Sequence, residues 1–146
     1  MRVRPTRFTV AVTVVSMLGP AIGTGLLLVR TSDAQKQPAE GLVLYQQHCA
    51  SCHGVNLEGQ PNWRRRSPDG SPRAPPHDET GHTWHHPDDQ LFAMTKLGDT
   101  PQSAMPAFKD TLSDQQIWNI LEAIKLYWPE NVRQRQAEIT RAYSSQ

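Results

Sequence analysis

Cys49-Ala-Ser-Cys52-His53, with Gly54 behind it, constrains this chain more than any other feature. Two thiols three positions apart can each add to one vinyl group of the same porphyrin. A histidine directly after the second thiol is then held beneath the ring, where its imidazole reaches the iron. A chain tied to a flat apolar group at two neighbouring points builds its core around that group, so the motif bears on fold as well as chemistry. The chain has 2 cysteines in 146 residues, which leaves none for a disulfide or a four-cysteine zinc site. A thioredoxin-like redox pair would need neither the following histidine nor a methionine further on. A zinc ribbon would need a second ligand pair at matching spacing, and His77, His82, His85 and His86 are too irregular and too distant to supply it.

The N-terminus reads as an export segment. Arg2, Arg4 and Arg7 precede a stretch from Phe8 to Val29 with no charged side chain. At ~1.5 Å per residue a helix of that length spans a bilayer core of ~30 Å. It is longer than the apolar core of about 7–15 residues usual in a cleavable signal. The expectation is therefore an uncleaved anchor over residues 1–34, a hydrophobic helix. The alternative is cleavage at Ser32-Asp33-Ala34, before Gln35. Both place the basic end in the cytoplasm and the rest on the periplasmic side of a bacterial inner membrane. The net charge of +1 is too small to suggest nucleic acid as a partner.

Residues 35–129 form the expected haem-carrying domain, and 130–146 a polar C-terminal tail whose thin stripe of Val132, Ile139 and Tyr143 suggests a frayed helical extension. The domain is small for an independent apolar core, and a buried porphyrin would supply much of the missing surface. Pro38 suits the first turn of a helix that places Gly41, Leu44, Tyr45 and His48 on one face. Residues 55–87 are broken by Pro61, Pro68, Pro72, Pro75, Pro76 and Pro87 and by Gly59, Gly70 and Gly81, so an irregular loop is expected there, wrapped on the porphyrin. A short helix should run from Pro87 to Gly98, with Asp88 and Asp89 in its first turn and glycine past its end. The clearest helix starts at Ser113, with Gln116 completing a capping box. Ile117, Ile120, Leu121, Ile124 and Trp128 follow at helical spacing until Pro129.

One histidine leaves a second axial position, and thioether sulfur there would stabilise reduced iron and block exogenous ligands. Met94 sits among apolar residues on an expected helix and reads as core. Met1 and Met17 lie in the export segment. Met105 stands on a non-helical loop beside Pro106, which stiffens the loop and removes a backbone donor. Met105 is the expected axial ligand. A bis-histidine iron would use one of the histidines between 77 and 86 instead.

With these features placed, the chain resembles the class I cytochrome c family in its small single-haem bacterial branch. The resemblance runs from Gly41 and Tyr45 through Cys49-x-x-Cys52-His53-Gly54 to Met105-Pro106-x-Phe108, Leu112-Ser-Asp114 and the closing helix, about residues 38–128. It implies an all-α, cytochrome c-like fold of a few short helices wrapped around one covalent haem c. It also implies an electron carrier rather than an enzyme, working with redox partner proteins. In this family a glycine lets the first helix cross the last closely, and Gly41 facing Ala123 or Ile124 would do so here. A proline carbonyl commonly accepts the proximal imidazole N–H, a part open to Pro75 or Pro76. Ala74 to His86 looks like the signature of one group of proteobacterial cytochromes.

His77, His82, His85 and His86 could together hold a second metal such as copper; the favoured reading is that they line the loop over the haem, bonding propionates, backbone and water. Trp63 and Trp84 flank that loop and are read as haem-contacting core. Arg64, Arg65, Arg66 and Arg73 form a basic patch that either faces solvent, binds propionates or steers an acidic partner. Two other functional readings remain at this point. One is a haem subunit of a larger membrane oxidoreductase, and the other a gas sensor or peroxidase-like protein with a displaceable sixth ligand, against which Met105 argues.

Overall fold

The computed structural model describes residues 37–98 and 104–146, and every regular element among them is helical. Residues 37–48 form helix α1, followed by the single turn α2 (Ala50–His53), a 3-10 turn (Thr83–His85), α3 (Asp88–Leu97), α4 (Asp114–Lys125) and α5 (Glu130–Ser144). The expected cytochrome c-like architecture of short helices joined by a long wrapping loop is what these elements form. Among the described residues no helix is long and apolar enough to cross a membrane. The expected export segment, residues 1–34, lies outside the described residues.

α4 organises the core because its ends and its apolar face agree. The Gln116 N–H donates to Ser113 Oγ at 3.3 Å, and the Ser113 N–H donates to Gln116 Oε1 at 2.9 Å, so the capping box is complete. Ile117, Ile120, Leu121 and Ile124 are buried along one stripe and join Leu44, Tyr45, Leu57, Leu91, Phe108, Leu112 and Trp128 in one cluster. α1 crosses this helix at Gly41, where a Cβ would fall onto the Asn119 carbonyl and against Ala123 Cβ. Close approach buries the Asn119 amide, which is satisfied at both ends: Nδ2 donates to Glu40 at 3.2 Å, and Oδ1 accepts from Gln115 at 2.9 Å.

α3 begins after Pro87 with Asp88 and Asp89 in its first turn and ends at Gly98, whose φ of 83° suits glycine. It packs on α4 through Phe92 stacked on Trp118, with ring centroids 4.6 Å apart, and through the Lys96–Asp114 ion pair at 2.7 Å. Met94 is half-buried on the same helix and packs against the core, as its apolar neighbours suggest.

Where a frayed helical extension is expected, the C-terminal segment forms a full helix. Glu130–Ser144 is a continuous helix docked on the domain. Its anchor is Gln136, 3 % exposed, whose Nε2 lies 2.6 Å from Asp88 Oδ1, 3.2 Å from the His86 carbonyl and 3.0 Å from Thr140 Oγ1. The Asp88 N–H donates to Thr140 Oγ1 at 3.1 Å. A buried polar side chain adds to the packing of Val132 in holding this helix, which is why hydrophobic periodicity understated it.

Gly41→Ala tests the helix crossing. Alanine is favoured over glycine in a helix by about 1 kcal/mol. Because the added methyl meets the Asn119 backbone rather than a flexible side chain, the variant should nevertheless lose about 1–3 kcal/mol in denaturant unfolding. A gain in stability would mean that the two helices are not locked at this point.

Candidate haem site

Cys49 precedes the one-turn helix α2, and Cys52 and His53 lie within it. One turn separates residues three apart, so both sulfurs share a face of the chain. Both are free thiols, Cys52 exposed and Cys49 half-buried. Burial, with Cys52 beside it, pushes the Cys49 thiol up to about 11.

His53 is buried, and its Nδ1–H donates to the Pro75 carbonyl at 2.8 Å. A carbonyl can only accept, so the proton sits on Nδ1, and Nε2 keeps its lone pair for a metal. Burial lowers the pKa of this imidazole and outweighs the Pro75 bond, which raises it. The ring is thus held neutral, the state that binds iron. Of Pro75 and Pro76, it is the Pro75 carbonyl that accepts from His53.

The Pro75 loop is itself pinned. The His77 N–H donates to the Leu57 carbonyl at 2.8 Å, the Gln60 N–H donates to the Ala74 carbonyl at 2.9 Å, and the Trp128 indole N–H donates to the His77 carbonyl at 2.7 Å. Tyr45, buried, donates its hydroxyl to the Gly54 carbonyl at 2.9 Å and so ties α1 to the end of the cysteine turn. Burial raises the Tyr45 pKa, which keeps the hydroxyl protonated as that donor.

Met105 lies on the segment after α3, half-buried and packed against the core cluster. Two hydrogen bonds latch this segment to α3: the Phe108 N–H donates to the Thr95 carbonyl at 3.2 Å, and the Lys109 N–H to the Lys96 carbonyl at 3.0 Å. Residues 104–108 are therefore non-helical and tied to α3 at Phe108.

The four loop histidines take different surroundings. His77 stacks on His53, His82 on Trp63 with ring centroids 5.4 Å apart, His85 sits edge-on to Trp84, and His86 Nδ1 bonds Gln90 at 3.1 Å. Among the described residues no three His, Cys, Asp or Glu side chains gather to hold a metal ion. Trp84 packs against the core cluster and donates its indole N–H to the Glu79 carbonyl at 3.3 Å. Trp63 is half-buried, with the Arg64 guanidinium 4.3 Å from its ring centroid.

The structure also divides the arginines. Arg64, Arg65 and Arg66 are exposed, and Arg66 reaches the Gly70 carbonyl at 2.7 Å. Arg73 turns inward: its Nη1 donates to the Pro61 carbonyl at 2.7 Å, and its buried Nε has no hydrogen-bond partner in the protein. A buried guanidinium nitrogen with nothing to donate to suits an acidic acceptor such as a haem propionate. Two free thiols on one turn, a neutral imidazole with a free lone pair and this orphaned donor fit a covalent haem. Of these, Arg73 was legible in the sequence only as one of four basic residues.

No curated protein and no solved structure matches the chain. Residues 36–122, more than half of it, match the family described as cytochrome C oxidase, cbb3-type, subunit III. The chain thus belongs to that family of c-type cytochromes, and it is an electron-transfer protein with covalently bound c-type haem.

Proposed function

We propose that Cys49 and Cys52 tether the haem, that His53 and Met105 are its axial ligands, and that the chain relays single electrons without transforming a substrate. The observation that carries this reading is the His53–Pro75 hydrogen bond at 2.8 Å, which presents one unprotonated ring nitrogen from a buried, neutral imidazole. When bound, the haem supplies one-electron chemistry between Fe(III) and Fe(II). The chain's part is to keep both ligands fixed in either state and to exclude water: Pro75 holds His53, and the Thr95 and Lys96 carbonyls hold the Met105 segment. A fixed methionine closes the position that a gas sensor or peroxidase would leave open.

The proposed location is the periplasmic side of the inner membrane, anchored by residues 8–29. Support comes from the uncharged span behind Arg2, Arg4 and Arg7. The exposed Arg64, Arg65 and Arg66 are proposed to steer an acidic redox partner, with Arg73 left to the haem side. The family's description also supports a second reading, a haem subunit in permanent association with an oxidase. Isolation of the native complex from membranes would separate the two, since a carrier should come away without stoichiometric partners.

Three outcomes test these assignments. On denaturing gels haem stain should migrate with the polypeptide and be lost when Cys49 and Cys52 are both changed to serine; haem extractable by acidic organic solvent would remove the covalent assignment. Met105→Ala should lower the potential and admit carbon monoxide. Met94→Ala should leave the spectrum unchanged and lose about 2 kcal/mol of stability, the low end for a core methionine; the opposite pattern would transfer the ligand to Met94. Replacing Arg64, Arg65 and Arg66 together by glutamine should slow electron transfer at low salt and flatten its salt dependence, since exposed charges are screened over ~8 Å at physiological ionic strength. A shifted potential with unchanged salt dependence would place those arginines at the haem instead.

A further inference from the structure

His77 is held from several directions for no purpose that the tether, the ligands or the docking patch explains. Its N–H donates to Leu57 at 2.8 Å and its carbonyl accepts from Trp128 at 2.7 Å. Its Nδ1 shares a hydrogen bond of 2.8 Å with Oγ1 of the buried Thr83. Tyr45 meets its ring edge-on, centroids 6.2 Å apart and planes at 72°. The product of this holding is a flat ring lying 4.0 Å from the His53 ring, with the two planes 21° apart.

The Pro75 bond alone does not fix the His53 ring. A hydrogen bond tolerates angular departures of roughly 30° from linearity before weakening much, so the imidazole could still rock about its Cβ–Cγ bond. A parallel neighbour at van der Waals separation removes that freedom on one side, because rocking drives ring atoms into ring atoms. We propose that His77 is a positioning residue whose imidazole face sets the plane of the His53 ring, and with it the orientation of the proximal ligand about the bond to iron. The proposal rests on the reading of His53 as that ligand. Residue type matters here for two separate reasons. Leucine has comparable bulk but a branched, rotatable surface; phenylalanine is flat but offers Thr83 no partner. Histidine combines a flat face with an edge that can be pinned.

The test uses the full chain matured with haem, comparing His77→Leu, His77→Phe and Thr83→Val with the wild type. The readouts are the spread of the hyperfine-shifted haem methyl resonances in the oxidised protein, which follows the plane of an axial imidazole, and the midpoint potential. His77→Leu should change the order or spread of the methyl shifts and move the potential while keeping a low-spin spectrum. His77→Phe should depart less than His77→Leu and about as far as Thr83→Val, because the flat face survives while the Thr83 bond is lost. Thr83→Val should depart in the same direction as His77→Leu, by a smaller shift. A leucine variant with the wild-type methyl pattern and potential would overturn the proposal, since bulk alone would then suffice. A phenylalanine variant displaced as far as leucine would also overturn it, because the flat face would then not be what matters. If His77→Leu does not accumulate folded, Thr83→Val decides, and a wild-type pattern there counts against the proposal. Failure of the underlying assignment looks different: a His53→Ala protein that keeps the wild-type low-spin spectrum would remove His53 as ligand whatever the His77 variants do.

Discussion

The hydrogen bond from His53 to the Pro75 carbonyl joins the two parts of this molecule that sequence distance keeps apart, the cysteine turn and the long irregular loop. It is available because of the prolines. Pro75 and Pro76 have no N–H, so this stretch cannot enter a helix interior or a strand ladder. The Pro75 carbonyl is therefore left over by the backbone and free to accept from a side chain. The loop comes close enough because Gly59, at φ 70°, passes where any Cβ would strike the Pro75–Pro76 peptide. One bond then does three things: it fixes the tautomer of His53, aims its ring and closes the loop.

Local signals survived the passage from sequence to structure, and non-local ones did not. The cysteine turn, the capping box at Ser113 and the proline and glycine bounds of α3 are set by residues within a few positions of one another, so they were legible. The choice between Pro75 and Pro76 was narrowed to two and needed the fold to decide. α5 was underestimated because it is held by Gln136, and a glutamine announces no buried role until Asp88 and the His86 carbonyl, 48 and 50 positions away, are brought beside it. The four arginines were indistinguishable by type and close in sequence, yet Arg73 turns inward while the other three face water. The four loop histidines read as one group and take different ring neighbours, with His82 and His86 edge-on to each other and His77 stacked on His53.

These placements share a direction. Trp128, in the turn between α4 and α5, holds the His77 carbonyl; Gln136, on α5, holds the His86 carbonyl. Both ends of the segment that carries Thr83 are thus clamped, one by the turn between the last two helices and one by α5, and Thr83 in turn holds the ring that lies on His53. The C-terminal part of the chain is therefore part of the support for the His53 ring. For a protein whose work is to gain and lose an electron, that matters more than stability alone: a ligand held in one orientation before and after transfer has less to rearrange, as preorganised sites do generally. A weak point in this support should be felt at the His53 ring even when it lies on α5. The physical consequence is a chain in which the polar C-terminal segment, the least haem-like part of the sequence, is coupled to the haem-binding turn through two carbonyls, a threonine and a stacked ring.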